Sequence, residues 1–122
     1  MKILLGVGGS EDSFSALHET LKRIQNTGDD LTIAVVENPS TRFTLDEVEE
    51  RVYEALEEEG VEAEVRKLEG HPGSCLVEVA ESEDFDEIVL GGGYQSPMGK
   101  IDIGQIAEFV LMNSHVSVKL VR

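Results

Sequence analysis

The sequence predicts a single α/β domain, with a parallel β-sheet covered by helices on both faces. Five short apolar segments alternate strictly with four segments of helical periodicity along the 122 residues. Such alternation indicates parallel strands, because each crossover helix must pack back on the sheet. The apolar runs are also nearly continuous, as in residues 2–7, which is typical of strands buried on both faces. We therefore expect residues 1–122 to form one domain.

The first strand is predicted at residues 2–7, and a pair of glycines ends it. Ser10 follows as a good N-cap for a helix, with the acidic Glu11 and Asp12 in the first turn, where negative charge is favourable. Apolar residues then recur at three- and four-residue spacing, and this helix buries one stripe made of Phe14, Leu17, Leu21 and Ile24. Gly28 closes the helix.

A second apolar strand is predicted at residues 31–36, and residues 37–40 form a loop at its carboxyl end. Thr44 and Glu47 have the spacing of a capping box, which predicts the start of the second helix. Gly60 ends that helix, whose apolar face consists of Leu45, Val48, Val52, Ala55 and Leu56. Residues 61–68 alternate apolar and charged side chains, so we expect a strand exposed on one side, at an edge of the sheet.

Pro72 fits the first turn of a third helix, where its missing N–H costs little. An acidic run at residues 81–87 then leads into a fourth strand at residues 88–90, which breaks on three consecutive glycines. The chain crosses a loop and enters a fourth helix at Gly104, with an apolar face of Ile106, Ala107, Val110 and Leu111. The last strand is predicted at residues 116–121.

The glycine-rich stretch at residues 87–105 has two interpretations, and both stay open. Glycines let backbone N–H groups approach an anion, and a helix N-terminus adds a favourable dipole, so the loop is suited to hold a phosphate. The alternative is a tight turn without a ligand. In open parallel sheets, ligands bind at the carboxyl ends of strands where the strand order reverses. If the first and fourth strands are neighbours, their glycine-rich exits border one crevice.

The net charge of −15, from 25 acidic and 10 basic residues, restricts the partners. Nucleic acid and anionic membranes both require a basic surface, so neither is an expected partner. No apolar run approaches the roughly 18 residues of a membrane span, and the first strand begins too early for a signal peptide, so we expect a cytoplasmic protein. A strongly acidic folded surface also predicts a high-salt cytoplasm, because salt screens self-repulsion.

The residues that commonly carry catalysis or bind metals show no pattern here. Cys75 is the only cysteine, which excludes an internal disulfide and a cysteine-based metal site. His18, His71 and His115 lie on three separate predicted elements, and no nucleophile, base and orienting group can be nominated from spacing. The sequence therefore predicts no catalytic residue and no metal site.

Three stretches of the chain match one known order of elements. The first is residues 3–13, Ile-Leu-Leu-Gly-Val-Gly-Gly-Ser-Glu-Asp-Ser, followed by an Ala-Leu pair at residues 16–17. The second joins Gly-His-Pro at residues 70–72 to residues 76–80 and 86–91, and the third is residues 118–122. Together they resemble the first strand and helix, the third helix and fourth strand, and the closing strand of the universal stress protein family.

The resemblance implies a Rossmann-like fold of the adenine nucleotide alpha hydrolase-like type, with strand order 3-2-1-4-5. The first and fourth strands are then neighbours, as a shared crevice requires. The resemblance also implies a homodimer formed through the last strand, with Val116, Val118 and Leu120 as the candidate interface residues.

One branch of the family binds ATP through a signature of glycine, two residues, glycine, nine residues, glycine, and serine or threonine. Starting at Gly91, this chain has Tyr94 at the second glycine, Gly104 at the third and Gln105 at the hydroxyl position. A register through Gly93 would restore a glycine but lengthen the spacer to ten residues. Gly8 stands where members of the ATP-binding type have an aspartate that holds the nucleoside.

The candidate nucleotide site is therefore degenerate, and ATP with Mg²⁺ is the cofactor that the resemblance implies for it. The site comprises Gly6, Val7, Gly8, Val36, Leu90, Gly91, Tyr94, Gly104, Gln105 and Ile106. Lys100 is the only basic residue between Glu87 and Val110. A triphosphate would consequently depend on backbone amides, the helix dipole and a metal ion.

Two functions follow from this pattern. The first is a non-catalytic regulatory or stress-response dimer whose crevice senses a nucleotide weakly or has lost it and serves a protein partner. The alternative is an ATP-binding switch with weak or no ATPase activity, whose occupancy alters the dimer contacts. A third, less favoured hypothesis is an enzyme of the same architecture that handles a flavin or another nucleotide.

Overall fold

The structure, a computed structural model, describes residues 1–92, 94–95, 101–102 and 104–121, and of residues 94–95 and 101–102 it describes the backbone. The elements in chain order are β1 (Lys2–Val7), α1 (Glu11–Thr27), β2 (Asp30–Val36), α2 (Leu45–Glu59), β3 (Glu64–Leu68), α3 (Pro72–Ser82), β4 (Glu87–Gly91), β5 (Tyr94–Gln95), β6 (Ile101–Asp102), α4 (Gln105–Asn113) and β7 (Ser117–Val121).

The main sheet has five parallel strands in the order β3-β2-β1-β4-β7. This confirms the predicted order 3-2-1-4-5, in which β7 is the fifth strand of the sheet. It also confirms that the first and fourth strands are neighbours, since Ile3 pairs with Glu87 and Leu5 with Val89. The short antiparallel pair β5 and β6 was not predicted.

Two hydrophobic clusters fill the two faces of the sheet. One contains Ile3, Leu5 and Val7 of β1 with the buried stripes of α1 and α2, and the other contains Leu4 of β1 with residues of α3 and α4. The alternation along β1 sends successive side chains to opposite faces, and each face is covered by a helix pair. The predicted apolar stripes of α1 and α2 are confirmed, since Leu17, Leu21, Val48 and Val52 are buried there.

The predicted helix ends are confirmed by their capping contacts. Ser10 accepts a hydrogen bond from the Ser13 amide, and Thr44 and Glu47 form a reciprocal capping box. Gly28 and Gly60 end α1 and α2 in the left-handed conformation, with φ of 70° and 65°, which glycine adopts without strain.

The two edges of the sheet are formed by β3 and β7. β3 begins at Glu64 rather than at residue 61, because the Val61 amide still bonds to the Leu56 carbonyl at the end of α2. The Arg66 guanidinium of β3 donates to the Glu83 carboxylate at 2.7 Å and thereby ties this edge to the end of α3.

At the other edge, Val116, Val118 and Leu120 are partly buried and pack against the cluster on the α3 and α4 face. Leu111 and Met112, at the end of α4, are 43% and 77% exposed. No helix formed by the described residues is long and apolar enough to cross a membrane.

Candidate functional site

A crevice of about 1040 Å³ lies at the carboxyl ends of β1, β2 and β4. Its walls come from the turn between β1 and α1, the loop between β2 and α2, the start of α3, and the end of β4 with the start of α4. This position is the reversal point of the strand order, since β1 connects to β2 on one side and pairs with β4 on the other. The volume is at the upper end of the range of ligand sites.

Most of the residues predicted for the site lie together in this crevice. Those that line it are Gly6, Gly8, Val36, Leu90, Gly91, Gly104, Gln105 and Ile106. The side chain of Val7 does not line the crevice, because it is fully buried in the cluster on the α1 and α2 face. The side chain of Tyr94 lies outside the described part of the chain.

Three helices begin at the crevice, and their N-termini differ in capping. Ser10 caps α1 with its hydroxyl, and His71 caps α3 by accepting a hydrogen bond from the Ser74 amide on Nδ1, at 3.1 Å. α4 begins at Gly104 with no side-chain cap. The first-turn amides of α4 are therefore the ones that no cap of their own helix satisfies, and they are suited to an anion.

Gly91 is required by packing against backbone, and Gly6 is closely surrounded by side chains. A Cβ added to Gly91 would lie 2.7 Å from the carbonyl carbon of Asp12 and 2.8 Å from its oxygen. A Cβ on Gly6 would lie 2.7 Å from Leu90 Cδ2. The chain thus needs glycine at residue 91 for the approach of α1, whether or not a ligand is bound.

Gly8 leaves a space that a neighbouring residue uses. A Cβ at Gly8 would lie 3.2 Å from Asn38 Cβ and 3.4 Å from Asn38 Nδ2. The aspartate expected at residue 8 by the resemblance is absent, and the amide of Asn38, from the end of β2, lies beside its position.

The loop between β2 and α2 was missed as part of the site. Asn38, Pro39, Ser40, Thr41, Arg42 and Phe43 all line the crevice. The signal was available, because β2 is parallel to its neighbour β1 and its carboxyl end lies at the same edge of the sheet. His71 and Pro72 were likewise missed, although the start of α3 follows a strand end in the same way.

The charges at the crevice are mixed. Glu11 and Asp12 at the start of α1 bring carboxylates to it, while Arg42 and His71 bring the basic groups. Among the described residues, no group of three or more His, Cys, Asp and Glu side chains is arranged to hold a metal ion. Within the described residues, the groups suited to an anion in the crevice are backbone amides, the α4 dipole and the basic side chains of Arg42 and His71.

Comparison with known proteins agrees with this architecture. The model of the universal stress protein family matches residues 1–122. A universal stress protein of Methanocaldococcus jannaschii is 36% identical over 72 residues, which are 59% of this chain and 42% of that protein. The match thus spans less than half of the length of that curated relative.

Solved structures show the same fold. A universal stress protein from Archaeoglobus fulgidus is similar with a TM-score of 0.78 at 22% identity, covering 100% of this chain and 98% of that chain. A universal stress protein in complex with cAMP is similar with a TM-score of 0.75 at 21% identity, covering 98% of this chain and 94% of that one.

Proposed function

The chain belongs to the universal stress protein family, and on that premise we propose that it is a small cytoplasmic regulatory or stress-response protein without catalytic activity. Its crevice is a nucleotide site in outline, with an affinity for ATP that is weakened by the changes at Gly8, Tyr94 and Gln105. The observation that carries this proposal is the crevice at the ends of β1 and β4. The N-terminus of α4, which begins after the uncapped Gly104, lies at this crevice.

The remaining glycines of the ATP signature give little support to tight ATP binding. Gly91 is explained by the approach of α1, since a Cβ there would meet the Asp12 backbone. Gln105 replaces the hydroxyl that would contact a phosphate, and carboxylates of Glu11 and Asp12 border the same crevice. Beyond the first phosphate, each added charge therefore meets these carboxylates, and Arg42 and His71 are the only basic side chains among the described lining residues to offset them.

A nucleotide remains the ligand class that fits best. A protein of the same fold and family binds cAMP, and the crevice offers an uncapped helix N-terminus for one phosphate group. Titration calorimetry with ATP and Mg²⁺ at high KCl tests the weakened affinity. We expect binding weaker than micromolar, and micromolar affinity would contradict the proposal.

The alternative is an ATP-binding switch, which the large crevice favours. The two functions differ in what the purified protein carries. The switch should retain ATP through purification, as seen by mass spectrometry of the denatured protein, whereas the weakened site should be free of ATP. An ATP hydrolysis assay with Mg²⁺ tests the non-catalytic role, and turnover abolished by a crevice variant would contradict it.

We also propose a homodimer formed through the β7 edge. β7 pairs with β4 on one side; its Val118 and Leu120, and Val116 just before it, are only partly buried by the cluster beneath. The exposed Leu111 and Met112 of α4 add apolar surface near this edge, and such surface favours an interface.

Sedimentation of the wild type and of the Leu111→Lys, Met112→Lys double variant tests the dimer. We expect a dimer for the wild type and a folded monomer for the variant, with circular dichroism as the folding control. A monomeric wild type at working concentrations would contradict this assembly. If no nucleotide binds, we propose that the crevice serves a protein partner other than a copy of this chain.

A further inference from the structure

The loop between β2 and α2, residues 37–44, forms one wall of the crevice, and the ATP signature of the family assigns it no role. Two of its residues, Asn38 and Arg42, carry polar groups that face the crevice lining. Neither the Asn38 Nδ2 nor the Arg42 guanidinium has a hydrogen-bond or carboxylate partner within the described ranges. These two groups are therefore available to a ligand.

The orientation of the Asn38 amide is fixed by its other end. Asn38 Oδ1 accepts a hydrogen bond from the Ser40 amide at 3.0 Å, and the Asn38 carbonyl accepts one from the Thr41 amide at 3.1 Å. The Nδ2 donor consequently lies on the Gly8 side, where it would be 3.4 Å from an added Cβ. A neutral amide in this arrangement offers a donor and selects an acceptor on the ligand.

Arg42 forms no ion pair in the described part of the chain, and Arg51 and Lys22 form none either. Arg23 pairs with Glu87, Arg66 with Glu83, and Lys67 with Asp46. The Arg42 guanidinium carbon lies 5.7 Å from the centre of the Phe43 ring, and, after the hydrogen bonds with Thr44, the charge of Arg42 contributes to lowering the pKa of Glu47. No described carboxylate holds this guanidinium in an ion pair, and a guanidinium is well suited to a phosphate group.

The loop that carries these groups is held in place by three contacts. Thr41 Oγ1 donates to the Gly8 carbonyl at 3.4 Å. The Phe43 ring packs edge-on against Phe14 of α1 with centroids 6.0 Å apart, and the Arg51 guanidinium of α2 lies 4.8 Å from the Phe43 centroid. A backbone that is already fixed lowers the entropy cost of binding through its side chains.

On the basis of the proposed function, we infer that the β2–α2 loop recognises a nucleoside monophosphate, with Asn38 donating to the nucleoside and Arg42 pairing with the phosphate. A monophosphate fits better than a triphosphate, because Arg42 and His71 are the only basic side chains among the described lining residues and two carboxylates share the crevice. In this proposal the recognition side chains come from the loop after β2, and Gly8, which follows β1, contributes none.

AMP and adenosine separate the two roles, because they differ only in the phosphate. Arg42→Gln should weaken AMP binding about tenfold and leave adenosine binding unchanged, since a charge-assisted contact is lost. Asn38→Asp keeps the acceptor for the Ser40 amide but replaces the donor with an acceptor, and it should weaken both ligands about tenfold. Ligand-detected NMR titration at fixed KCl measures all four affinities.

Matched controls carry the same charge change away from the crevice. Lys22→Gln on α1 removes one positive charge, and Asn26→Asp at the end of α1 converts an amide to a carboxylate; both side chains are exposed. Neither control should change either affinity by more than twofold, and thermal melts should show that all four variants fold.

The outcomes distinguish this inference from the proposed function. Wild-type binding of AMP that Arg42→Gln and Asn38→Asp leave unchanged would overturn the inference alone. An equal loss of AMP affinity in a variant and in its charge control would also overturn the inference, because net charge would then explain the loss. A wild type that binds neither AMP nor adenosine would overturn both the inference and the nucleotide part of the proposed function.

Discussion

Substitution of Gly91 by alanine tests whether this signature glycine is present for packing. The new Cβ would lie 2.7 Å from the Asp12 carbonyl carbon and 2.8 Å from the carbonyl oxygen. Because these are backbone atoms of α1, no side-chain rotation can relieve the contact. Forcing extra atoms into a packed site costs about 1–3 kcal/mol. At about 4 °C for each kcal/mol in a domain of this size, the melting temperature should fall by about 4–12 °C.

Gly104→Ala is the matched control, since it is the same change at the other signature glycine that the chain retains. A Cβ there meets nothing within 4 Å, and the φ of −62° suits alanine. Alanine is a poorer N-cap than glycine, so the change should cost about 0.5–1 kcal/mol and lower the melting temperature by no more than about 4 °C. Thermal melts by circular dichroism at one KCl concentration give both values. An unchanged melting temperature for Gly91→Ala, or an equal fall for Gly104→Ala, would refute the packing explanation.

Three further predictions concern stability. Molar KCl should raise the melting temperature, because it screens repulsion within a chain of net charge −15; a salt-insensitive melt would count against the high-salt origin. Arg66 lowers the pKa of Glu83 below its ordinary value of 4.5, so this carboxylate stabilises the fold above that pH and the contribution is lost as the pH falls through the lowered pKa. The difference in melting temperature between the wild type and Glu83→Gln should therefore shrink from pH 7 to pH 3, and a constant difference would exclude this linkage. His71→Ala should lower the free energy of unfolding by about 1 kcal/mol in urea titration, because the α3 cap is lost, whereas His18→Ala at an exposed helix position should have no effect; equal results for the two would show that the cap contributes nothing.

The sheet could be predicted because its signals are local and repeated. The near-continuous apolar residues of β1 and the glycines that follow it mark a buried parallel strand, and the Thr44 and Glu47 pair marks a helix start by its own hydrogen bonds. The strand order required the family resemblance, since nothing in the periodicity of one strand says which strand lies beside it. The β5 and β6 pair, each of two residues, is too short to produce a period.

The site was predicted where backbone position alone decides the lining. Gly8, Gly91 and Gly104 follow strand ends or precede a helix, and the rule that ligands bind at the carboxyl ends of strands identifies them. The side chain of Val7 lies away from the crevice because one residue along a strand reverses the face of its side chain. The position of Asn38 and Arg42 at the crevice could have been predicted from the carboxyl end of β2, whereas the contacts of their side chains depend on distant elements, which spacing along the chain does not encode.

A nitrogen-15 NMR titration of the wild type at high KCl, with AMP and separately with ATP and Mg²⁺, tests the central claim most directly. If the crevice is a nucleotide site with weakened affinity for ATP, amide shifts should concentrate at Gly8, Asn38 and Gly104, and ATP should bind more weakly than micromolar. Shifts confined to residues away from the crevice, or micromolar ATP affinity, would contradict it.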